Sequence, residues 1–141
     1  MAKVNFYLLK QDSLQAVLAL CCKLAEQQAR QGQQVFILAD SGETAQDMDR
    51  LLWSFTPDSF VPHVLAGDAL AGQTEVIIGV SATDAGNATC ILNLGTEPVA
   101  VHAGLNAIAE FVPNDETAKA QSRVRWNHYK QLGHELQLHQ L

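Results

Sequence analysis

The feature that most constrains the fold is a short, wholly apolar run that follows an amphipathic helical pattern. Residues 35–39 read Val-Phe-Ile-Leu-Ala, which is typical of a strand covered on both faces in a parallel sheet. From about residue 13 to residue 31, apolar side chains recur on one helical face: Leu14, Val17, Leu18, Cys21, Leu24 and Ala25. A helix between two strands is the connection that parallel strands need. The sequence therefore predicts an α/β sheet.

The same alternation of patterns continues along the chain. Further strands are predicted at 4–9, 75–80 and 89–94, with a weaker one at 107–112, and further helices at 42–53 and 115–132. Asp12 and Asp40 stand three residues before Gln15 and Glu43, the spacing of a capping box at the start of each of the first two helices. The prolines and glycines of residues 56–73 predict a loop, and the final eight residues receive no assignment. We expect one domain over residues 1–141, an open and part-parallel α/β sheet with helices on both faces.

Charge limits the classes of partner. The net charge of −6 argues against a surface devoted to nucleic acid, because phosphate contacts need clustered Lys and Arg. The last predicted helix is nevertheless locally basic, with Lys119, Arg123, Arg125 and Lys130 and no acidic residue among them. This pattern indicates an anionic partner smaller than a DNA duplex. No apolar run approaches the roughly 20 residues of a membrane span, and no signal segment is present, so we expect a cytoplasmic protein without membrane contact.

Motifs for enzyme chemistry are weak. Residues 67–74 have the glycine spacing of a phosphate loop, but Gln73 replaces its lysine and a strand is predicted next instead of a helix. The turn after the first strand lacks the glycines of a dinucleotide site, and no two histidines have the helical spacing of metal ligands. Buried packing is the interpretation for Cys90 and for at least one of Cys21 and Cys22. The sequence predicts no catalytic residue, metal or cofactor, with a nucleotide-dependent enzyme as the alternative.

Two segments have the character of binding surfaces. Residues 53–63 combine three aromatic side chains with two prolines, and interfaces use such rigid apolar groups as anchors. An exposed patch at residues 60–62 would mark a partner site, although Trp53 and Phe55 can instead pack on the core at the end of the second helix.

The last predicted helix is the second such segment. Lys119, Arg123, Trp126 and Lys130 are separated by four, three and four residues and therefore share one face. Such a face can bind an acidic peptide end that carries an aromatic ring. It can also stack single-stranded bases, or be a solvated charged face without a partner. The acidic net charge favours the peptide over the nucleic acid.

These residues resemble the chi subunit of bacterial DNA polymerase III, an accessory subunit of the clamp loader. The resemblance rests on residues 5–9 (Asn-Phe-Tyr-Leu-Leu), on 52–67 with Ser-Phe-Val-Pro-His at 59–63, and on 111–133 with Arg-Val-Arg-Trp at 123–126. It covers nearly the whole chain in order and spacing. It implies a Rossmann-like fold without a nucleotide site, and a bridging protein without catalysis that acts in DNA replication.

The resemblance also implies partners and the residues that contact them. One surface would bind the psi subunit, in competition with an accessory DNA-repair helicase, and the other would bind the acidic C-terminal tail of single-stranded DNA-binding protein. The residues that match the psi surface are Trp53, Phe60, Val61, Pro62 and His63. The residues that match the tail site are Phe111, Val112, Lys119, Arg123 and Trp126. The chain departs from the family pattern at Asn127, where the family carries a lysine.

Overall fold

A computed structural model of the protein describes residues 2–54, 63–66 and 75–141. Its regular elements, in chain order, are β1 (Lys3–Leu8), α1 (Leu14–Arg30), β2 (Val35–Leu38), α2 (Gly42–Ser54), β3 (His63–Leu65), β4 (Val76–Gly79), a 3₁₀ turn (Ala82–Ala85), β5 (Cys90–Asn93), β6 (Ala107–Val112), α3 (Glu116–Gln131) and β7 (Glu135–Gln140). The predicted strands and helices are all present, with ends that differ by one or two residues. Within these ranges no helix is both long and apolar enough to cross a membrane.

The seven strands form one sheet in the order β3-β4-β2-β5-β6-β1-β7. The predicted α/β class and open sheet are confirmed. The expectation that only part of the sheet would be parallel is wrong, because every strand pairing in the described residues is parallel. Parallel neighbours need long crossover connections, and α1, α2 and α3 each form part of one.

Helices cover both faces of the sheet, as predicted. On one face α1 and α2 pack over the odd-numbered residues of β2, Val35 and Ile37. On the other face Tyr129 of α3 packs with Phe36 and with apolar residues of β1 and β6. Side chains alternate between the faces of a strand, so a strand buried on both sides is apolar throughout. This double burial explains the continuous apolar run that first indicated a parallel sheet.

The helix caps differ from the prediction by one residue. Ser13, not Asp12, is the N-cap of α1, and its hydroxyl accepts a hydrogen bond from the Ala16 N–H at 3.1 Å. At α2 the Ser41 hydroxyl, not the Asp40 carboxylate, accepts from the Thr44 N–H at 3.2 Å. Serine and aspartate cap helices about equally well, so adjacent Asp and Ser residues leave the position undecided in the sequence.

Two strands were not predicted. The three residues of β3 lie in a segment that its prolines and glycines marked as loop, and so short a strand has no readable alternation. β7 does alternate, as Glu-Leu-Gln-Leu-His-Gln, and this period of two could have been recognised in the unassigned tail. β7 pairs in parallel with β1 and forms one edge of the sheet.

All three cysteines are buried in the apolar layer beneath α1. Burial raises the pKa of the Cys22 and Cys90 thiols to about 12, and raises that of Cys21 well above its ordinary value. A thiol that stays protonated is a poor nucleophile and a poor metal ligand. The interpretation of these residues as packing groups is confirmed.

Candidate functional site

A cleft opens between helix α3 and the part of the sheet that contains β1 and β7. Its volume is about 340 Å³, and most of its lining is apolar. The residues that line it are Phe6, Leu8, Val112, Lys119, Ser122, Arg123, Trp126 and Leu138. The structure thus brings together four of the five residues predicted for the tail site.

Three adjacent strands form the floor of the cleft. Leu8 of β1 lies opposite Val112 of β6, and Phe6 of β1 lies opposite Leu138 of β7. In a parallel sheet, residues paired in this way point to the same face. The floor is therefore a continuous apolar surface built by register, from residues that are far apart in the sequence.

Helix α3 forms the wall of the cleft. Its start is fixed by Asp115, whose carboxylate accepts a hydrogen bond from the Ala118 N–H at 2.9 Å. The half-buried Trp126 ring packs against Phe6, with ring centroids 5.1 Å apart and planes inclined by 58°. Lys119 and Arg123 stand one turn apart on the same wall. An apolar pocket beside two cations suits a carboxylate that is attached to an apolar or aromatic group.

Phe111, the fifth residue predicted for this site, lies on the opposite face of the sheet. It stacks on Tyr7, with ring centroids 6.1 Å apart, on the face of the sheet that α1 covers. Consecutive strand residues point to opposite faces, so Phe111 and Val112 cannot both line one cleft. The structure therefore places Phe111 outside this cleft.

Behind the wall, a buried polar cluster anchors α3 to the sheet. The Glu110 carboxylate of β6 accepts hydrogen bonds from the Tyr129 hydroxyl at 2.6 Å and from the Asn93 amide at 3.0 and 3.2 Å. Arg125 places its Nε 2.9 Å from Glu110 Oε1, close enough for an ion pair but without the alignment of a hydrogen bond. All four side chains are buried. These four side chains join α3 to β5 and β6, and in this cluster only Arg125 Nε lacks a hydrogen-bond partner.

The same cluster also holds the connection between β5 and β6. Arg125 Nη1 donates to the Thr96 carbonyl at 3.2 Å, and the Asn93 amide donates to the Glu97 carbonyl at 2.9 Å. The Tyr129 hydroxyl accepts from the Val99 N–H at 2.7 Å. These bonds hold the loop against the cluster, and the bond to Tyr129 satisfies the buried Val99 N–H, which would otherwise be costly to bury.

Burial dominates the protonation of Glu110. Loss of water raises the pKa of this carboxyl from 4.5 to about 7, although Arg125 and the hydrogen bonds from Tyr129 and Asn93 act to lower it. Burial, together with the nearby Glu110 charge, raises the pKa of the Tyr129 hydroxyl well above its usual value. The cluster is therefore a structural support that is sensitive to proton concentration near neutral pH.

The basic residues of α3 do not all belong to the cleft. Arg125 is only 3% exposed and is committed to Glu110, so its charge is not available to a ligand in the cleft. Lys130 and Asn127 are exposed outside the lining of the cleft. The cations of the cleft are Lys119 and Arg123, and the Lys119 ammonium also lies 3.8 Å from the exposed carboxylate of Glu116.

The second predicted surface is described only in part. Trp53, at the end of α2, is 60% exposed, so packing on the core is not its role. His63 of β3 is buried, 3.3 Å from the Asp49 carboxylate, and its ring meets the Trp53 ring edge-on at 5.0 Å. The His63 ring thus packs against the Trp53 ring, and His63 itself is too buried to contact a partner. Phe60, Val61 and Pro62 lie outside the described residues.

The remaining chemical motifs add no site among the residues that the structure describes. The segment with phosphate-loop spacing, residues 67–74, lies outside the described residues. Within the parts of the chain that the structure describes, no group of three or more His, Cys, Asp or Glu side chains is arranged to hold a metal ion. The single-domain prediction is compatible with the one continuous sheet.

Sequence reasoning missed half of the cleft lining. Phe6, Leu8 and Leu138 come from β1 and β7, and only the pairing of these strands brings them beside α3. The alternation in the last strand places Leu138 on the apolar side of that strand and could have indicated it. The Glu110 cluster had no local signal, because its members are 15 or more residues apart except within α3.

Comparison with known proteins identifies relatives over the whole chain. The family described as DNA polymerase III chi subunit, HolC, matches residues 1–137. The DNA polymerase III subunit chi of Haemophilus influenzae is 34% identical over 134 residues, covering 94% of this chain and 91% of that protein. The Escherichia coli subunit chi is 30% identical, and the match covers 96% of this chain and 96% of that protein. The Pseudomonas aeruginosa subunit chi is 28% identical, and the match covers 100% of this chain and 98% of that protein.

Proposed function

The chain belongs to the DNA polymerase III chi subunit family, a family of replication accessory subunits, and from that premise we propose that it bridges two other replication proteins. One partner is the psi subunit of the clamp loader, bound through the surface around Trp53. The other is the acidic C-terminal tail of single-stranded DNA-binding protein, bound in the cleft beside α3. The chain would act in the cytoplasm as a non-catalytic member of the polymerase complex, without a cofactor.

The observation that carries the proposal is the cleft itself. Its apolar floor fits a terminal aromatic side chain, and Lys119 and Arg123 fit the carboxylates of an acidic tail. The chain as a whole has a net charge of −6, so most of its surface repels an anionic ligand. The two cations of the cleft attract such a ligand locally. That contrast favours a short peptide over a long polyanion.

The positions of the two surfaces suit a bridge. Trp53 lies in the last turn of α2 on one face, next to edge strand β3, whereas the cleft lies on the other face near edge strand β7. Six strand spacings of about 4.8 Å separate the edges by about 29 Å, so both partners have room to bind together. Bridging raises the local concentration of the polymerase machinery at coated template without any bond chemistry.

Calorimetric titration with a nine-residue acidic peptide that ends in Asp-Ile-Pro-Phe tests the tail site. Arg123→Ala should weaken binding about 10-fold or more, because it removes a charge-assisted contact. Lys130→Ala, which removes an exposed cation outside the cleft, should change binding by less than about 2-fold. Binding should also fall as salt rises. Equal effects of the two variants would reject the cleft as the tail site.

Direct binding of single-stranded DNA uses the same cations and is the competing function. Titration with a fluorescent oligonucleotide at the same salt distinguishes the two, because the proposal requires the peptide to bind and the oligonucleotide to bind far more weakly. Hydrolysis of ATP by the purified chain would instead support the nucleotide-dependent alternative.

Co-purification with the psi subunit tests the other surface. Trp53→Ala should reduce the recovered complex, because exposed aromatic side chains are frequent energetic anchors. Leu132→Ala is the matched control, since Leu132 is 58% exposed on a different part of the molecule. Full recovery with Trp53→Ala would mean that this side chain is not an anchor. The accessory helicase is expected to compete with psi in the same assay.

A further inference from the structure

The outer edge of β7 lies beside the cleft and has no partner among the described residues. β7 pairs with β1 on one side only and ends the sheet. Leu138 belongs both to this edge strand and to the cleft lining, and it is 49% exposed. A ligand in the cleft would therefore lie next to an open strand edge.

The register shows which backbone groups face outward. The Glu135 N–H donates to the Ala2 carbonyl at 3.2 Å, and the Leu141 N–H donates to the Leu8 carbonyl at 3.0 Å. Successive residues of a strand direct their N–H and C=O groups to opposite sides, so odd-numbered residues of β7 face β1. The even-numbered residues Leu136, Leu138 and Gln140 then present their N–H and C=O groups to the free edge.

This edge lacks the features that usually protect one. Residues 135–140 contain no lysine and no proline, and the one acidic residue is Glu135 at the start. Natural edge strands are commonly protected by such residues, because bare edges pair with other chains. Leu136 and Leu138 point to the same face as α3, so the side chains of this edge continue the apolar floor of the cleft.

We propose that the peptide in the cleft binds as an additional strand on the outer edge of β7, with main-chain hydrogen bonds to Leu136, Leu138 and Gln140. The inference rests on the proposed function of the cleft and specifies its binding mode. Strand addition supplies main-chain bonds that do not depend on the peptide sequence, while the pockets select alternate side chains. Here one inward side chain would fill the apolar cleft and the carboxylates would meet Lys119 and Arg123.

Charge complementarity identifies an acidic peptide as the occupant. Lys119 and Arg123 are the cations of the cleft lining, and the edge strand carries only one negative charge of its own. A second copy of this chain would bring a net charge of −6 to the same edge, so self-association is disfavoured by like-charge repulsion. Main-chain pairing also explains how two cations can retain a flexible tail, because directional hydrogen bonds add to the charge attraction.

Amide hydrogen exchange measured by NMR tests the binding mode directly. In the free protein the amides of Leu136, Leu138 and Gln140 should exchange fast, whereas those of Gln137 and His139 should be protected by β1. Saturation with the acidic nonapeptide should slow exchange at the three even-numbered amides about 10-fold or more. Trp126 indole shifts report cleft occupancy separately.

Each outcome has a distinct meaning. Binding seen at Trp126 without protection of the even-numbered amides would overturn strand addition and leave the proposed function intact. Absence of binding would overturn both. Protection already present in the free protein, rising with protein concentration, would mean that a second copy covers the edge, and would overturn the peptide as its occupant.

A pair of variants provides an independent test. Leu138→Pro removes the outward N–H but no bond to β1, since proline is tolerated on the open side of an edge strand. Leu138→Ala truncates the same side chain and keeps the N–H. The proline variant should bind the peptide about 3- to 10-fold more weakly than the alanine variant, as expected for one hydrogen bond. Equal affinities, with both proteins folded by circular dichroism, would contradict the pairing.

Discussion

The buried carboxyl of Glu110 should make the stability of the protein fall as pH rises through neutrality. Its pKa is raised from 4.5 to about 7 because burial outweighs the attraction of Arg125 and two hydrogen-bonding partners. A native pKa above the unfolded one means that the folded protein binds more protons in this range. The stabilisation is fully present below about pH 4.5 and is lost as pH rises through about 7.

The size of the effect follows from the shift. Each pKa unit corresponds to about 1.4 kcal/mol, so a change from 4.5 to about 7 corresponds to about 3 kcal/mol of unfolding free energy, most of it lost between pH 5 and pH 8. Glu110→Gln keeps the shape and cannot ionise. The difference in stability between wild type and variant should therefore decline by about 2–3 kcal/mol over that interval.

Urea denaturation at several pH values between 5 and 8 measures this difference. Subtracting the variant from the wild type cancels the contributions of the five histidines, which titrate in the same range. A difference that stays constant, or that grows with pH, would show that the Arg125 pair outweighs burial and that Glu110 is ionised when folded. That result would refute the reasoning, because removal of one partner of a stabilising buried pair should then cost about 3–5 kcal/mol at high pH.

Three further outcomes are expected. Gly79→Ala should destabilise the protein by about 1–3 kcal/mol in urea, because the new Cβ would lie 2.9 Å from the Phe36 ring, whereas Gly42→Ala, with no atom within 4 Å, should not destabilise it. Tyr129→Phe should cost about 1–3 kcal/mol, since the Val99 N–H loses its buried acceptor; an unchanged urea midpoint would contradict this. The three buried thiols should resist alkylation at pH 8 until the protein unfolds, so mass spectrometry that finds modified native protein would disprove their burial.

Much of the fold could be predicted because a strand that is buried on both faces is apolar throughout, and such a run is easy to recognise in the sequence. The apolar run at 35–39 and the single-faced helix before it led directly to the parallel α/β sheet. Failures came where a strand was short or half-exposed, as in β3 and β7. A sheet edge buries little, so its residues are mixed in character and carry a weaker signal than those at the centre.

The candidate site was predictable on its helical side and hidden on its sheet side. Helical spacing placed Lys119, Arg123 and Trp126 together, and the structure does so. Strand alternation, applied to the last two residues of β6, would have separated Phe111 from Val112. The contributions of Phe6 and Leu138 depend on which strands are neighbours, and strand order is not encoded in any local pattern.

The basic residues of α3 show why charge must be assigned by helical face and not by segment. Lys119 and Arg123 are four residues apart and face the cleft, whereas Arg125 and Tyr129, also four apart, are rotated towards the sheet. One pair is available to a ligand and the other is used to hold the helix in place. Because Arg125 is internal, its charge is not available to a ligand in the cleft. We therefore expect affinity for an acidic tail to depend on Lys119, Arg123 and the apolar floor of the cleft, with main-chain bonds to the outer edge of β7 as the proposed further contribution.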